Sequence, residues 1–200
     1  MGKRLIGMLI VVSVCYLSSG VQAATFNVNS PAAFQTALTT AQANGQDDTI
    51  NVAAGTYTIG STLVYETVEN FSLTIVGAGA SSAILDGGDS VQIMRLSGEG
   101  NGDISVTGLT FQRGRVSDLA GFGAALFVLN SASGSITVDQ CVATNCTAIR
   151  NTAGAWLGAI HGDITVTNSS FTHNSCDDGT ADDGCGLYLY FDTAAATGNA

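Results

Sequence analysis

The chain of 200 residues carries 6 Lys or Arg and 16 Asp or Glu, which gives a formal net charge of −10 at pH 7. Nucleic acids and anionic membrane surfaces attract proteins through lysine and arginine, so this charge argues against both as partners. With 25 glycines, a single proline and only 11% charged residues, the composition favours many short strands joined by tight turns over a helical bundle.

The first residues have the layout of a secretory signal peptide. Lys3 and Arg4 precede an apolar run at 5–17, and Val21-Gln22-Ala23 supplies a small-x-small cleavage site. The apolar run is shorter than the about 17–25 residues that a membrane-spanning helix needs. We therefore predict a signal peptide over 1–23 and an exported protein that is secreted or held at the cell surface, either extracellular or on an outer membrane.

Removal of the signal peptide would leave a mature domain over 24–200. Lipid attachment at Cys15 is the alternative, but Val12-Ser13-Val14 lacks the small residues expected before a lipidated cysteine. The mature chain keeps four arginines and all 16 acidic residues, so its formal charge is 4 − 16 = −12. Its length suffices for one domain, which we expect to be monomeric and without a membrane span.

A short helix is predicted near the beginning of the mature chain. Ser30 can cap its N-terminus, Pro31 suits the first helical position, and Asn44-Gly45 supplies the stop. We expect this helix, over 32–43, to cover the open end of a solenoid, because the first coil otherwise exposes apolar area and unpaired strand edges. Its apolar positions, at helical spacing, are Phe34, Leu38 and Ala41.

One phrase occurs three times in the second half of the chain. It reads ISVTGLTFQRG at 104–114, ITVDQCVATNC at 136–146 and ITVTNSSFTHN at 164–174. Repeats of about this length are typical of solenoid architectures, in which like residues stack above like. The copies align without gaps and predict four columns of stacked side chains: Ile104/Ile136/Ile164, Val106/Val138/Val166, Leu109/Cys141/Ser169 and Phe111/Ala143/Phe171.

Earlier strand phrases extend the register backwards. Phrases that begin at Ile50 and Leu73 resemble the one at Ile104, while the intervening segments vary in length. Within each copy the alternation of apolar residues shifts by one at the position of Gly108, which indicates a bend between two short strands. Several short strands per coil, stacked at roughly 4.8 Å, predict an all-β fold, the parallel β-helix.

The sequence of these repeats resembles that of the pectin-lyase-like right-handed parallel β-helix proteins. The segments at 47–59 and 73–87 are similar to the opening coils of bacterial members. Phe171-Thr172-His173-Asn174, with Gly123-Ala124-Ala125-Leu126 and Gly186-Leu187-Tyr188-Leu189, resembles the repeat of polymorphic outer membrane proteins. The resemblance implies right-handed coils. It is less specific for function, because the fold serves lyases, hydrolases, adhesins and autotransported passengers.

Four cysteines remain after the predicted cleavage, an even number in an oxidising compartment. Cys141 and Cys146 lie on one predicted strand, about 16 Å apart and too far for a bridge. Cys176 can pair with Cys185 and close the loop between them, or with Cys146 on the adjacent coil. Cys141 falls in an inward column, where we expect a small buried hydrophobe.

The fold is compatible with two kinds of catalytic site, that of a polysaccharide lyase and that of a glycoside hydrolase. A polysaccharide lyase of this family needs a base beside an acidic calcium site, and Arg113 and Arg115 near Asp118 and Asp139 form the best such group. Turn arginines paired with acids for solubility explain these residues equally well. A glycoside hydrolase needs two carboxylates at working separation, and no strand phrase supplies them. We therefore predict no catalytic residue.

An acidic loop is the best candidate for a bound ion. Its four carboxylates form two pairs, each followed by a glycine, and could coordinate Ca²⁺, although a solvated acidic turn explains the same pattern. No other cofactor is indicated. The candidate ligands are Asp177, Asp178, Asp182 and Asp183.

The favoured function is that of an exported scaffold or adhesin-like protein that binds glycans or other surfaces. The alternative is a carbohydrate-active enzyme, a polysaccharide lyase or glycoside hydrolase. Trp156 and Tyr188 either fill the core or stand on the outer face, where an aromatic ring can contact a sugar. No capping element follows Phe191, so we expect coils to continue beyond Ala200. The outward positions, polar and mostly uncharged, suit a binding face: Ser105, Thr107, Thr137, Asp139, Thr165 and Thr167.

Overall fold

The structure, a computed structural model, describes residues 23–117, 121–149, 151–176 and 185–192. These residues form a parallel β-solenoid in which every strand pairs with the strand one coil before or after it. The predicted all-β parallel β-helix is confirmed. The predicted signal peptide over 1–23 lies, apart from Ala23, outside the described residues.

Four sheets run along the solenoid and are numbered in the order in which a coil passes through them. The first sheet contains β1 (Ala24–Val28), β2 (Asp48–Val52), β5 (Leu73–Gly77), β8 (Ile104–Thr107), β12 (Ile136–Asp139) and β16 (Ile164–Thr167). The second contains β3 (Gly55–Thr58), β6 (Ala83–Asp86), β9 (Thr110–Gln112), β13 (Val142–Thr144) and β17 (Ser170–Thr172). The third contains β10 (Arg115–Val116), β14 (Thr147–Ala148) and β18 (Ser175–Cys176), and the fourth β4 (Leu63–Thr67), β7 (Met94–Gly98), β11 (Leu126–Asn130), β15 (Ala155–Ala159) and β19 (Leu187–Phe191).

The core is built from inward columns, as the repeats predict. Ile104 pairs with Ile136 and Ile136 with Ile164, and the Phe111–Ala143–Phe171 column follows the same rule on the second sheet. Because side chains alternate along a strand, every second residue enters the core, and each buried aliphatic side chain contributes roughly 1.5–3 kcal/mol. Val106 and Val138 have no exposed surface.

The predicted start at Ile50 is out of register by two residues. Asp48 pairs with Leu73, and Ile50 pairs with Ile75. A shift of two keeps every side chain on its predicted face, which is why the apolar pattern alone did not reveal it. The correction places Asp48, a buried carboxylate, in an apolar column.

Two bends per coil use left-handed backbone. At the first bend φ is +67° at Gly108, which confirms the predicted break in alternation. Asparagine tolerates this region better than most side chains, and it occupies one of the two bends in each of the last two coils. The stacked positions are Gly108, Gln140 and Asn168 at the first bend, and Arg113, Asn145 and His173 at the second.

The helix α1 runs from Pro31–Ala41, so it ends two residues earlier than predicted. Ser30 caps it, because the backbone N–H of Ala33 donates to its Oγ at 3.2 Å. The helix packs against β4, β1 and β2. The side chain of Gln35 accepts a hydrogen bond from the N–H of Val64 at 2.8 Å and donates one to the carbonyl of Val64 at 2.9 Å. Its carboxamide therefore satisfies both backbone groups of Val64 on β4.

Candidate ligand-binding cleft

The outer face of the fourth sheet carries a column of large side chains. The register stacks Val64, Arg95, Phe127, Trp156 and Tyr188 on successive strands. These positions alternate with the buried residues of the same strands, so their side chains project away from the core. The open question about Trp156 and Tyr188 is thereby answered: both belong to the outer face.

The aromatic rings of this column contact one another. Phe127 and Trp156 are stacked, with ring centroids 4.8 Å apart and planes inclined by 7°. Tyr188 and Tyr190 lie 6.3 Å and 5.9 Å from the Trp156 ring. Phe122 approaches the same ring from a loop at 5.6 Å, tilted by 48°. Such pairs add about 0.5–1.5 kcal/mol beyond area burial, so the cluster holds a defined shape.

A glycine beside the tryptophan makes this arrangement possible. Gly158 is the next outward residue on β15, and a Cβ built there would lie 2.5 Å from Cη2 of Trp156. No real Cβ tolerates that distance, so the indole ring would have to leave its position. Gly158 therefore leaves the space that the ring of Trp156 occupies.

A cleft of about 740 Å³ opens beside the aromatic column. Its size lies within the about 300–1,000 Å³ that is typical of small-ligand sites, which combine an apolar wall with a few polar groups. Gly121 and Phe122, from the loop before β11, also line the cleft, together with residues of 90–92 and 115–117. The side chains that matter chemically are Gln92, Arg95, Arg115, Phe122, Phe127 and Trp156.

Two arginines supply the positive charge of the cleft. The guanidinium of Arg95 lies over the ring of Phe127, 5.2 Å from its centroid, and its Nε is 3.5 Å from a carboxylate oxygen of Glu66. Arg115 is half-buried, and none of the described carboxylates lies within ion-pair distance of it. Arg115 is thus the cation of the described cleft wall that can meet an anionic or hydroxyl-bearing ligand.

The arginine–acid group predicted for a lyase does not form among the described residues. Arg113 pairs with Asp86 one coil earlier, with Nε donating to Oδ1 at 2.9 Å and a second bond from Nη2. Burial acts to raise the pKa of Asp86, but hydrogen bonds from Arg113, Gly88 and Gln112 outweigh it and hold the pKa below its usual value. This pair closes a bend. Asp118 lies outside the described residues.

Asp139, the other acid of the predicted group, has different partners. It accepts hydrogen bonds from the hydroxyl of Thr167 at 2.7 Å and the amide of Asn168 at 2.9 Å. The bonds from Thr167, Asn168 and Gln140 lower its pKa. Because Arg113 sits at a left-handed bend and reaches backwards to Asp86, it is not available to Asp139.

The cysteines divide into one pair and two buried thiols. Cys176 and Cys185 form a disulfide, with Cα atoms 5.7 Å apart, so the alternative bridge from Cys146 to Cys176 is not formed. Cys141 is buried, as expected from its column. Burial raises the pKa of both Cys141 and Cys146 to about 11, which keeps them protonated and unreactive.

The predicted calcium ligands lie outside the described residues. Within the described ranges no three His, Cys, Asp or Glu side chains lie close enough together to hold a metal ion. Calcium binding therefore stays a prediction for the acidic loop. The residues concerned are Asp177, Asp178, Asp182 and Asp183.

Sequence reasoning missed three residues of the cleft: Phe122, Phe127 and Gln92. Aligning the apolar runs after Gly123 and Gly154 does not reveal Phe127, because it sets Phe127 opposite Gly158, two residues away from its true partner Trp156. Phe122 and Gln92 lie outside the strand phrases, so no column relates them to the site.

The chain matches no protein-family model, no curated protein and no solved structure. The resemblance to pectin-lyase-like proteins and to polymorphic outer membrane proteins therefore stays a prediction. What the structure establishes is the coarser class, a parallel β-solenoid of about five coils. Among the described residues there is no helix with the length and apolar character that a membrane crossing requires.

Proposed function

We propose that the protein is an exported β-solenoid scaffold, adhesin-like in character, that binds glycans through the cleft on its fourth sheet. The observation that carries the proposal is the outward aromatic column beside Arg115 and Gln92. Elsewhere on the solenoid, outward positions of the first sheet are small and polar. A run of large apolar rings on an outer face is the informative exception on a protein surface.

The chemistry of the cleft suits a sugar. A pyranose presents C–H groups that pack against aromatic rings, and hydroxyl groups that accept hydrogen bonds from guanidinium and donate to carbonyl oxygens. Trp156, which is half-buried, supplies a ring, the buried Phe127 supports it from the preceding coil, and Arg115 supplies fixed donors. An extended polysaccharide can also follow the column along the solenoid axis, because Tyr188 continues it onto the next coil.

Export supports this function and rests on separate features. The signal-peptide pattern over 1–23 predicts secretion. The Cys176–Cys185 disulfide is of the kind that persists in oxidising compartments. The formal charge of −12 after cleavage favours solubility over binding to anionic surfaces.

The test is binding of the mature protein to a panel of neutral and acidic polysaccharides. Trp156 is the chain's one tryptophan, so its fluorescence reports directly on the cleft. We expect at least one glycan to shift this emission, and Trp156→Ala to weaken binding by roughly tenfold or more, since an aromatic anchor is worth about 2 kcal/mol. Binding of the Trp156→Ala variant is followed by calorimetry.

Thr137→Ala on the first sheet is the matched control and should bind like the wild type. Equal binding by Trp156→Ala and wild type would refute the cleft as the site. The same incubations are assayed for unsaturated or reducing ends. Release of either from any polysaccharide would establish the alternative, a carbohydrate-active enzyme.

A further inference from the structure

Segment 121–123 contributes Gly121 and Phe122 to one wall of the cleft, and hydrogen bonds from the preceding coil hold it in place. The side-chain Nε2 of Gln92 donates to the backbone carbonyls of Phe122 at 2.7 Å and Gly123 at 3.0 Å. The two N–H groups of one carboxamide can thus bind two adjacent carbonyls. This arrangement fixes both the position and the orientation of the backbone at Phe122 and Gly123. Gln92 itself is half-buried.

The following coil holds the same segment from the other side. The N–H of Gly123 donates to the carbonyl of Thr152 at 2.8 Å, and the side-chain amide of Asn151 donates to the carbonyl of Gly121 at 3.2 Å. Hydrogen bonds from two coils therefore converge on three residues. These hydrogen bonds hold the segment in a fixed position, although it belongs to no strand.

The backbone of Gly123 brings this wall close to the aromatic column. Its φ of +62° is in the left-handed region, and a Cβ there would overlap the carbonyl of Leu126 and lie 3.1 Å from the N atom of Trp156. Only glycine lets the chain pass at this distance. The neighbouring Phe122 is consequently placed with its ring 5.6 Å from that of Trp156.

We infer that Gln92 is a positioning residue that fixes Phe122 against Trp156 and so sets the width of the cleft. The part of this inference that concerns ligand affinity rests on the proposed glycan binding; the part that concerns the wall does not. Replacement by Glu removes both donors and sets a carboxylate against two carbonyl oxygens. Replacement by Met keeps the length of the side chain and removes its polarity.

The wall is tested without any ligand, by acrylamide quenching of Trp156 fluorescence. We expect the quenching constant to rise about twofold in Gln92→Met and Gln92→Glu, because local opening of the wall exposes the indole. Gln112→Met is the matched control: its Nε2 also reaches another coil, donating to Asp86 at 2.8 Å, but on the second sheet. The control should quench like the wild type.

The pH dependence of quenching distinguishes a specific role of Gln92 in holding the wall from a general loss of structure. Protonation of the introduced carboxylate restores one donor, so quenching of Gln92→Glu should return toward the wild-type value as the pH falls below about 4.3, while Gln92→Met stays unchanged. Quenching that is the same in wild type, Gln92→Met and Gln92→Glu would overturn the inference, as would an equal rise in Gln112→Met.

Affinity is then measured with the polysaccharide that binds the wild type. We expect Gln92→Met to bind roughly tenfold more weakly, the effect of losing the two hydrogen bonds that hold the wall in place. Wild-type affinity in a variant with raised quenching would show that the wall does not contact the ligand and would overturn this part. If no glycan binds the wild type, the proposed function fails, and the quenching result still decides the role of Gln92.

Discussion

The first and fourth sheets both turn apolar side chains into the core, but they differ in the residues on their outer faces. Inward residues of both, such as Val138 and Leu96, are fully buried. Outward, one column of the first sheet repeats small hydroxyl side chains, whereas one column of the fourth carries an arginine and three aromatic rings. The first sheet stacks Thr25, Thr49, Thr74, Ser105, Thr137 and Thr165, whereas the fourth stacks Val64, Arg95, Phe127, Trp156 and Tyr188.

This difference separates the requirements of folding from those of function. A solenoid needs apolar inward columns, because each coil buries its core face only against its neighbours. Nothing in that requirement dictates the outer face, and threonine satisfies it with a favourable strand propensity. The rings on the fourth sheet are therefore in excess of what the fold demands, which is why the binding proposal rests on them.

The largest effect should follow from loss of an inward side chain. Leu96→Ala is expected to lower the free energy of unfolding by about 3 kcal/mol, because a fully buried leucine leaves a cavity that the stacked coils cannot fill. Thr137→Ala on the outer face should change it by less than about 0.5 kcal/mol. Urea unfolding followed by circular dichroism measures both. A similar cost for the two variants would contradict the division into inward and outward columns.

A smaller effect is expected from exchange of outward residues between the two faces. Phe127→Thr gives the fourth sheet the side chain of the first, and we expect it to cost about 2 kcal/mol through lost ring stacking with Trp156 and lost contact with Arg95. Thr137→Val, its counterpart, should be nearly neutral. Thermal unfolding of both variants is the measurement. A neutral Phe127→Thr would show that the ring contacts add no stability.

Much of the fold could be predicted from the sequence, because the repeats carry the register. Ile104, Ile136 and Ile164 stack as the alignment requires, since each inward position must be apolar in every coil. The start at Ile50 was predicted two residues out, because period-two alternation is unchanged by such a shift. The pattern fixes which face a residue occupies more firmly than which residue it pairs with.

The cleft was less predictable, for two physical reasons. Gln92 and Phe122 meet through hydrogen bonds to backbone carbonyls in irregular segments, which leave no periodic trace in the sequence. Arg113 was grouped with Asp139 by nearness in register, but the bend directs its side chain to Asp86. Side-chain direction at a left-handed residue follows from backbone geometry that no apolar pattern encodes.

The smallest effects concern the two acids of the first sheet, one inward and one outward. Burial, partly offset by a hydrogen bond from Asn44, raises the pKa of Asp48, whereas bonds from Thr167 and Asn168 lower that of Asp139. A carboxyl group with a raised pKa in the folded state stabilises the fold fully when the pH is below its usual pKa of 3.8. This contribution is lost as the pH rises through the pKa of the folded state. A lowered one acts in the opposite direction.

The two Asn variants should therefore respond to pH with opposite signs. At pH 7 Asp48→Asn is expected to be more stable than the wild type, an advantage that disappears as the pH falls through the raised pKa to 3.8. Asp139→Asn should be slightly less stable than the wild type at pH 7 and equal to it once the pH falls through the lowered pKa. Melting temperatures between pH 7 and about pH 3 distinguish the two. Parallel pH profiles would contradict the burial of Asp48 on the inward face of the first sheet.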